Sequence, residues 1–287
     1  MDFGNIFRKN SGIFLAFILL SLSFLLFYFS NQGQHLAIHF LDVGQGDATL
    51  VQTPLGINIL IDAGVNRSIL APLADNLSFF DKDIEYIFAT HGDADHIGGI
   101  PFLLDRYTVG TIFMNIPDEP SALESTILEK AGRLDISVIP LRSGDVLLID
   151  GMKINVLWPP DGFQSDDRNE NSFILMLEYR GEKILLTGDA SKFVESRLVN
   201  VFSDSLDAAI LKAGHHGSRT SSFPNFLSHV QPDIAIISAS CDNRYGHPHQ
   251  SVLATLVGAG AEVFETCHEG TITTIFDVTT NSFVISD

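Results

Sequence analysis

Residues 84–89 read IEYIFA, an apolar run of strand length, and the chain continues Thr90-His91-Gly92-Asp93-Ala94-Asp95-His96-Ile97-Gly98-Gly99. No other feature narrows the possible folds as much. Four metal-competent side chains fall within six residues. Neutral imidazole and ionised carboxylate both suit a divalent ion, and a loop between a strand and a helix can turn several of them toward one point. The strand must therefore end at an open edge of the core. A loop whose carboxylates only cap the following helix would explain Asp93 or Asp95, but it leaves His91 and His96 without a role.

The rest of the chain supplies a core for such a site. Of 287 residues, 45% are hydrophobic and 10% aromatic, too apolar for a disordered chain. Asp and Glu number 35 against 17 Lys and Arg, a formal charge of −18. That balance argues against a protein that grips nucleic acid through a broad basic face, because phosphate neutralisation supplies most non-specific affinity. Cys241 and Cys267 are too few and too far apart for a disulfide-rich scaffold or a cysteine zinc finger. From His35 onward there is no low-complexity tract, fixed-period repeat or Pro/Ser linker, so residues 35–287 read as one domain. Strand-length runs recur along it: HLAIHFLDV, DATLVQT and INILIDA at its start, then IEYIFAT, TIFMNI, ISVIP, KINVLWP, SFILMLEY, EKILLTG, DAAILKA, DIAIIS, AEVFET and TITTIFDV. Helix-like stretches lie near 67–78, 97–105, 121–132, 190–202, 221–228 and 250–259. Hairpins mixed with βα units predict an α/β protein of two packed sheets with helices outside.

The N-terminal residues differ in kind. Gly12–Phe29 (GIFLAFILLSLSFLLFYF) carries no charge and as a helix would span roughly 27 Å, close to the hydrocarbon thickness of a bilayer. Arg8 and Lys9 precede it and no Lys or Arg follows until Arg67. By the positive-inside rule residues 1–11 stay in the cytoplasm and the rest is exported. Residues 12–30 are expected to be a transmembrane anchor, with a cleavable signal segment as the alternative, and residues 31–34 a linker. The run is longer than a usual signal core and no small-residue cleavage site follows it. Export would also make a disulfide between the two cysteines chemically possible.

The strings FLDVGQGDATLV, LIDAG, THGDADHIGG, NENSFIL, LLTGDA, LKAGHHGSRTSS and NRYGHPH occur in this order along the chain. Together they resemble the metallo-β-lactamase superfamily, whose signature H-x-[H/D]-x-D-H is met by His91, Asp93, Asp95 and His96. More closely, they resemble the extracytoplasmic metallo-β-lactamase-like domain of ComEC-type DNA-uptake channels. The resemblance runs from about His35 to the C-terminus. It implies an α/β protein with the metallo-β-lactamase-type αββα four-layer sandwich, preceded here by the one N-terminal transmembrane helix. It also implies two divalent metal ions, Zn or Mn, at one edge, and phosphodiester hydrolysis as the chemistry.

By that resemblance Asp189, which follows KILLTG, is the bridging carboxylate, and a carboxylate between two ions neutralises charge and fixes their spacing. His215 and His216 follow ILKAG, and one of them matches the family's last histidine ligand, with His215 slightly preferred. Neighbours along a strand point in opposite directions, so the pair stays open. The implied ligands are thus His91, Asp93, Asp95, His96, Asp189 and His215 or His216, with Asp95 and Asp189 counted also as catalytic groups. Asp62, closing INILIDAG, corresponds to an Asp that the family places behind a ligand histidine, where it fixes the tautomer. A turn-forming Asp is the alternative. One departure bears on metal choice. Many members supply a further His between the first motif and the bridging Asp, but here none occurs from 97 to 214, and Arg168-Asn169-Glu170-Asn171-Ser172 stands in that place. The ion near His91 and Asp93 would then rely on Asp189 and water or an amide oxygen. Oxygen-rich ligation favours Mn there, and Zn where imidazole predominates.

Two rims are expected around the site. Gly217-Ser218-Arg219-Thr220-Ser221-Ser222 offers N–H groups, hydroxyls and a guanidinium, with Ser218, Arg219 and Ser221 as phosphate contacts and a Ser-rich helix cap as the alternative. In Asn243-Arg244-Tyr245-Gly246-His247-Pro248-His249, His247 is expected to touch the scissile phosphate or protonate the leaving oxygen beside Asn243, unless Pro248 marks only a turn. Asn171 is counted with the substrate contacts. The expected function is a membrane-anchored, extracytoplasmic phosphodiesterase or nuclease acting on DNA, with other DNA-uptake proteins as partners. A hydrolase for an ester, lactone or choline-phosphate cell-wall component would keep the metal motif but need an acyl pocket or aromatic cage. A non-catalytic module of an uptake complex would not need the retained ligands.

Overall fold

The computed structural model describes residues 14–25 and 35–286. The chain divides into two compact units, Met1–Gln34 and His35–Asp287. In the first, residues 14–25 form helix α1, with Phe14, Leu20 and Phe24 exposed. Among the described residues, no helix is long and apolar enough to cross a membrane. The cytoplasmic segment expected at 1–11, both ends of the Gly12–Phe29 run and the linker at 31–34 lie outside the described residues.

Apolar strands that alternate between two buried faces build the second unit. The first sheet contains β1 (Ala37–Phe40), β2 (Thr49–Gln52), β3 (Asn58–Ile61), β4 (Asp83–Ala89), β5 (Thr108–Met114), β6 (Ser137–Ile139), β14 (Ile272–Asp277) and β15 (Ser282–Ile285), in the order β15-β14-β1-β2-β3-β4-β5-β6. The second contains β7 (Val146–Ile149), β8 (Met152–Trp158), β9 (Ile174–Tyr179), β10 (Glu182–Leu186), β11 (Ile210–Lys212), β12 (Ile234–Ile237) and β13 (Glu262–Glu265), in the order β13-β12-β11-β10-β9-β8-β7. In β3, Ile59 and Ile61 join the core between the sheets and Leu60 the core behind the first sheet; in β10, Ile184 and Leu186 face inward and Leu185 outward. A period of two with both faces buried reads in sequence as an unbroken apolar run.

Helices close the two outer faces. On the first sheet lie α2 (Leu70–Asn76), α3 (Ala94–Ile97), α4 (Ile100–Leu103) and α5 (Ala122–Arg133). The second sheet carries α6 (Lys192–Phe202), α7 (Pro224–Val230) and α8 (Gln250–Gly258), and α9 (Thr266–Glu269) follows β13. Sequence dictates the docking locally. α5 starts at a capping box in which Ser121 and Glu124 satisfy each other's backbone N–H groups, and it buries Ile127 and Ala131 one turn apart. Layers therefore run helix, sheet, sheet, helix. Two strands, β7 and β15, were not among the expected runs. β7 pairs with β8 across the two-residue turn Asp150-Gly151, both residues at positive φ (48° and 77°), and an Asp-Gly pair between apolar runs is a hairpin signal.

Candidate metal centre

The parallel strands β3–β4 and β10–β11 bring their C-terminal ends to the same site, as an open α/β sheet does for its ligands. Asp62 follows β3, His91 follows β4, His96 stands in α3, Asp189 follows β10 and His216 follows β11. The loops are joined through their backbones: Asp47 N–H donates to Asp95 C=O at 3.1 Å, and Ala63 N–H to His96 C=O at 2.7 Å. A Cβ on Gly46 would collide with the Asp95 carbonyl, and one on Gly99 with the Ala63 carbonyl, so these two positions need glycine for close approach.

Asp62, itself at φ 60°, accepts Thr90 N–H at 2.8 Å, the Thr90 hydroxyl at 2.7 Å and His96 Nδ1–H at 2.7 Å. A carboxylate can only accept here, so the His96 proton sits on Nδ1 and Nε2 is left as a lone pair. His216 is set in the same way: Nδ1–H donates to Ser238 C=O at 2.9 Å. His96 Nε2 lies 3.2 Å from Asp189 Oδ1, and His216 Nε2 lies 3.4 Å from Asp95 Oδ2 and 3.5 Å from Asp189 Oδ2. His91 Nε2 is 3.6 Å from Asp93 Oδ2. Nε2 of His91, His96 and His216 and Oδ1 of Asp189 are all buried without a hydrogen-bond partner. Lone pairs facing carboxylate oxygens at this range repel unless a proton or a metal ion stands among them. The residues fit a divalent metal.

The electrostatics agree. Burial opposes charge on His96 and His216, but Asp189 and Asp62 outweigh it at His96, and Asp189 and Asp47 push His216 up to about 10. Burial would raise Asp189, yet His216 and His96 hold it well below the usual carboxylate range. A field that traps protons this firmly also attracts a dication.

Of the histidine pair, left open in the sequence, His216 is the one whose ring lies within the cluster. Among the described residues, Asp95, His96 and His216 form a group with metal-holding geometry, as do His91, His96 and Asp189, whereas neither His215 nor Asp93 belongs to one. His215 is partly exposed, with Nδ1 3.1 Å from the Thr220 hydroxyl and Nε2 3.7 Å from Asp189. Asp93 sits at the rim, half-exposed, 3.6 Å from Arg168 Nη1.

The rims divide differently from expectation. Ser218 and Ser221 are buried, the first accepting from Thr220 and the second donating to Gly214 and Ser218 carbonyls, so both close a turn while Arg219 and Thr220 stand exposed. Asn171 is occupied by the backbone of Ser165, and Asn243 by Ser240, Tyr245 and His247. All four side chains are engaged by neighbouring residues. His247 does face the site: it stacks with Tyr245, its ring is 5.6 Å from His215, and its Nδ1 is buried and unpartnered. Burial, then His215 and His216, lower it to about 4, so at neutral pH it offers an N–H for hydrogen bonding rather than a proton for transfer. Asn169 carries a buried, unpartnered Oδ1 in the segment 168–172. Cys241 and Cys267 are joined in a disulfide that ties the His247 loop to α9.

Three groups went unread in sequence. Asp47 and Lys212 form a buried ion pair beneath the cluster, with Asp47 Oδ1 3.2 Å from His216 Nδ1. A lysine inside the apolar run AILKAG was the available signal, since lysine is seldom buried without a partner. Glu195 on α6 is fully buried and accepts Ser222 N–H at 2.5 Å and Phe223 N–H at 3.1 Å, tying α6 to the end of the histidine loop. Burial lifts Glu195 from 4.5 to about 7, against those two N–H groups. A carboxyl with a raised folded value contributes stability that is full below its unfolded value and lost as pH rises through the folded one, here about 3 kcal/mol between pH 4.5 and 7. In Glu195→Gln the fall in urea midpoint over that range should be smaller than in the parent. An equally steep fall would show that another group governs it.

The chain belongs to the metallo-beta-lactamase superfamily, whose family model matches residues 41–241. Within it, this is a ComEC-like competence domain. It is 32% identical over 270 residues to ComE operon protein 3 of Bacillus subtilis, covering 87% of this chain and 34% of that protein. It is 30% identical to Recombination protein 2 of Haemophilus influenzae (88% and 30% covered) and 26% identical to Competence protein ComA of Neisseria gonorrhoeae (82% and 32%). The chain thus spans about a third of the length of these relatives. Among solved structures, it is similar in fold to the metallo-beta-lactamase fold protein YhfI from Bacillus subtilis, with a TM-score of 0.54 and 11% identity, covering 80% of this chain and 96% of that one. CmlA, a diiron beta-hydroxylase from Streptomyces venezuelae, has a TM-score of 0.57 at 13% identity (81% and 52% covered). At such identities these two show the fold alone.

Proposed function

We propose that this domain is a phosphodiesterase acting on DNA outside the cytoplasm, with two divalent ions, Zn or Mn, held by His91, Asp93, Asp95, His96, Asp189 and His216. The observation that carries this is the gathering of four buried, unpartnered donor atoms into two adjoining groups, His91, His96 and Asp189 on one side and Asp95, His96 and His216 on the other, with two of the rings oriented by Asp62 and Ser238. Two bound ions supply the activation of water and the neutralisation of charge on the phosphoryl oxygens. The protein's own part is positional. Asp189 faces both His96 and His216 and so bridges the two halves of the site. His247 and Arg219 stand at the rim as donors to a phosphate. The names of the relatives, a recombination protein and competence proteins, support DNA as the substrate over an ester or cell-wall component. A dicationic site answers the objection of net charge −18, since local charge governs approach to the reacting phosphate.

The extracytoplasmic location is supported by the Cys241–Cys267 disulfide, which persists in oxidising compartments, and by the uncharged run Gly12–Phe29 behind Arg8 and Lys9. Protease added to intact spheroplasts should release the domain; a protected domain would overturn the location. The activity itself is tested with single- and double-stranded DNA, a model phosphodiester and carboxylic esters, each with Zn²⁺, Mn²⁺ or chelator. Metal-dependent cleavage of the diesters is expected. Cleavage of esters alone would point to another hydrolase, and no cleavage to a non-catalytic module. Within this assay His216→Ala should lose tightly bound metal and about 10²-fold or more in rate, and His215→Ala should retain its metal. The reverse order would return the ligand role to His215.

A further inference from the structure

A cleft of about 440 Å³ opens at His91 and Gly92 and runs between the segment that follows β5 and the connection from β8 to β9. Of the metal cluster, only His91 borders this space. Its walls combine two chemistries. Ile116, 45% exposed, and Phe163, whose ring packs edge-on against Trp158 at 4.6 Å, give an apolar shelf. Arg142 and Arg168 place guanidinium groups on the same cleft. Arg142 is held in position by the Asn115 side-chain oxygen at 2.5 Å and the Leu141 carbonyl at 2.7 Å, and Arg168 reaches the Gly92 carbonyl at 3.4 Å. Flat apolar surface beside fixed guanidinium groups, next to a site for a reacting phosphate, matches a nucleoside: the base has an apolar face for stacking, and the adjoining phosphates take the arginines.

Asp118, Glu119, Glu124 and Asp166 also line the cleft. Such carboxylates can accept from the N–H groups on a free base edge, and they would repel the second phosphate chain that a duplex brings. A paired base has its edge and faces already occupied and must leave the stack before it fills such a space. Resting on the phosphodiesterase reading, we infer that this cleft is the subsite for the unpaired nucleoside next to the reacting phosphate, so that the site selects single strands over duplex.

The test is fluorescence anisotropy of the detergent-solubilised full chain in Mn²⁺, with a labelled phosphorothioate oligothymidylate, which resists hydrolysis, against a phosphorothioate duplex of the same length. The single strand should bind at least tenfold more tightly. Phe163→Ala should weaken single-strand binding about tenfold, the scale of one lost base–aromatic stack. Because Phe163 also packs against Trp158, Ile116→Asp serves as the second variant: its side chain is exposed, so melting temperature and metal content should stay at parent values while affinity falls. Equal binding of both probes, no binding of either, or undiminished affinity in a folded Ile116→Asp would overturn the subsite. Hydrolysis of ordinary phosphodiester DNA, measured in parallel, separates the two readings. Unselective binding with hydrolysis intact removes the subsite alone. Selective binding without hydrolysis removes the phosphodiesterase and leaves a single-strand binding site.

Discussion

Replacing Asp189 by Asn is expected to strip the domain of tightly bound divalent ion and to lower phosphodiester hydrolysis by about 10²–10³-fold, the scale for losing a group that stabilises charge at a reacting centre. Its Oδ1 faces His96 Nε2 and its Oδ2 faces His216 Nε2, so one residue serves both halves of the cluster. Asparagine keeps the shape but presents one oxygen and no charge. The fold should survive, because Asp189 N–H still donates to the Ser172 hydroxyl at 3.2 Å and the surrounding strands are held by apolar packing. Metal content after dialysis, rate and melting curve are measured on the same preparation. Retention of metal and rate in a folded variant would mean that Asp189 is not the bridge.

The largest effect on stability is expected at Lys212. This residue closes β11 with 3% exposure and pairs with Asp47, also buried. Burial would raise the Asp47 carboxyl, but the Lys212 ammonium, followed by His216, holds it far below its ordinary range. Lys212→Met removes the partner and strands a buried carboxylate, at a cost of about 3–5 kcal/mol. Asp47→Asn combined with Lys212→Met should recover much of that loss, since no unpaired charge remains. The pH dependence has a fixed sign. A depressed carboxylate contributes stability above its unfolded value of 3.8 and loses it as pH falls toward the folded value, so parent and Lys212→Met should converge in strong acid. Urea denaturation of the two variants across pH measures both points; a single variant as stable as its parent at neutral pH would show that Asp47 is solvated or otherwise paired.

Much of the fold was legible because the strands are buried on both faces. Runs such as INILIDA and EKILLTG can hardly be anything else, and the βα order along the chain assigns them to two sheets. The clustering of the first candidate metal loop was legible for a similar reason, its His and Asp side chains being close in sequence. What sequence left open depends on backbone geometry or on distant partners. His215 and His216 both lie in the left-handed region (φ 49° and 53°), so the alternation of a strand does not apply to them, and the His216 ring is aimed inward by the distant Ser238 carbonyl and Asp47. Ser218, Ser221, Asn171 and Asn243 have the chemistry of phosphate contacts, yet each finds a backbone partner within seven residues. Lys212 and Asp47 are 165 positions apart, one in β11 of the second sheet and the other in the loop before β2 of the first, so only the packing of the two sheets brings them together.

Anomalous diffraction from crystals loaded with Zn²⁺ and Mn²⁺ tests the metal-centre assignment most directly. Two peaks about 3.5–4 Å apart are expected, the spacing of two-metal hydrolytic sites, one beside His91 and Asp93 and the other beside Asp95, His96 and His216, with Asp189 between them. A single peak, a peak at His215 in place of His216, or no ion at these residues would contradict it.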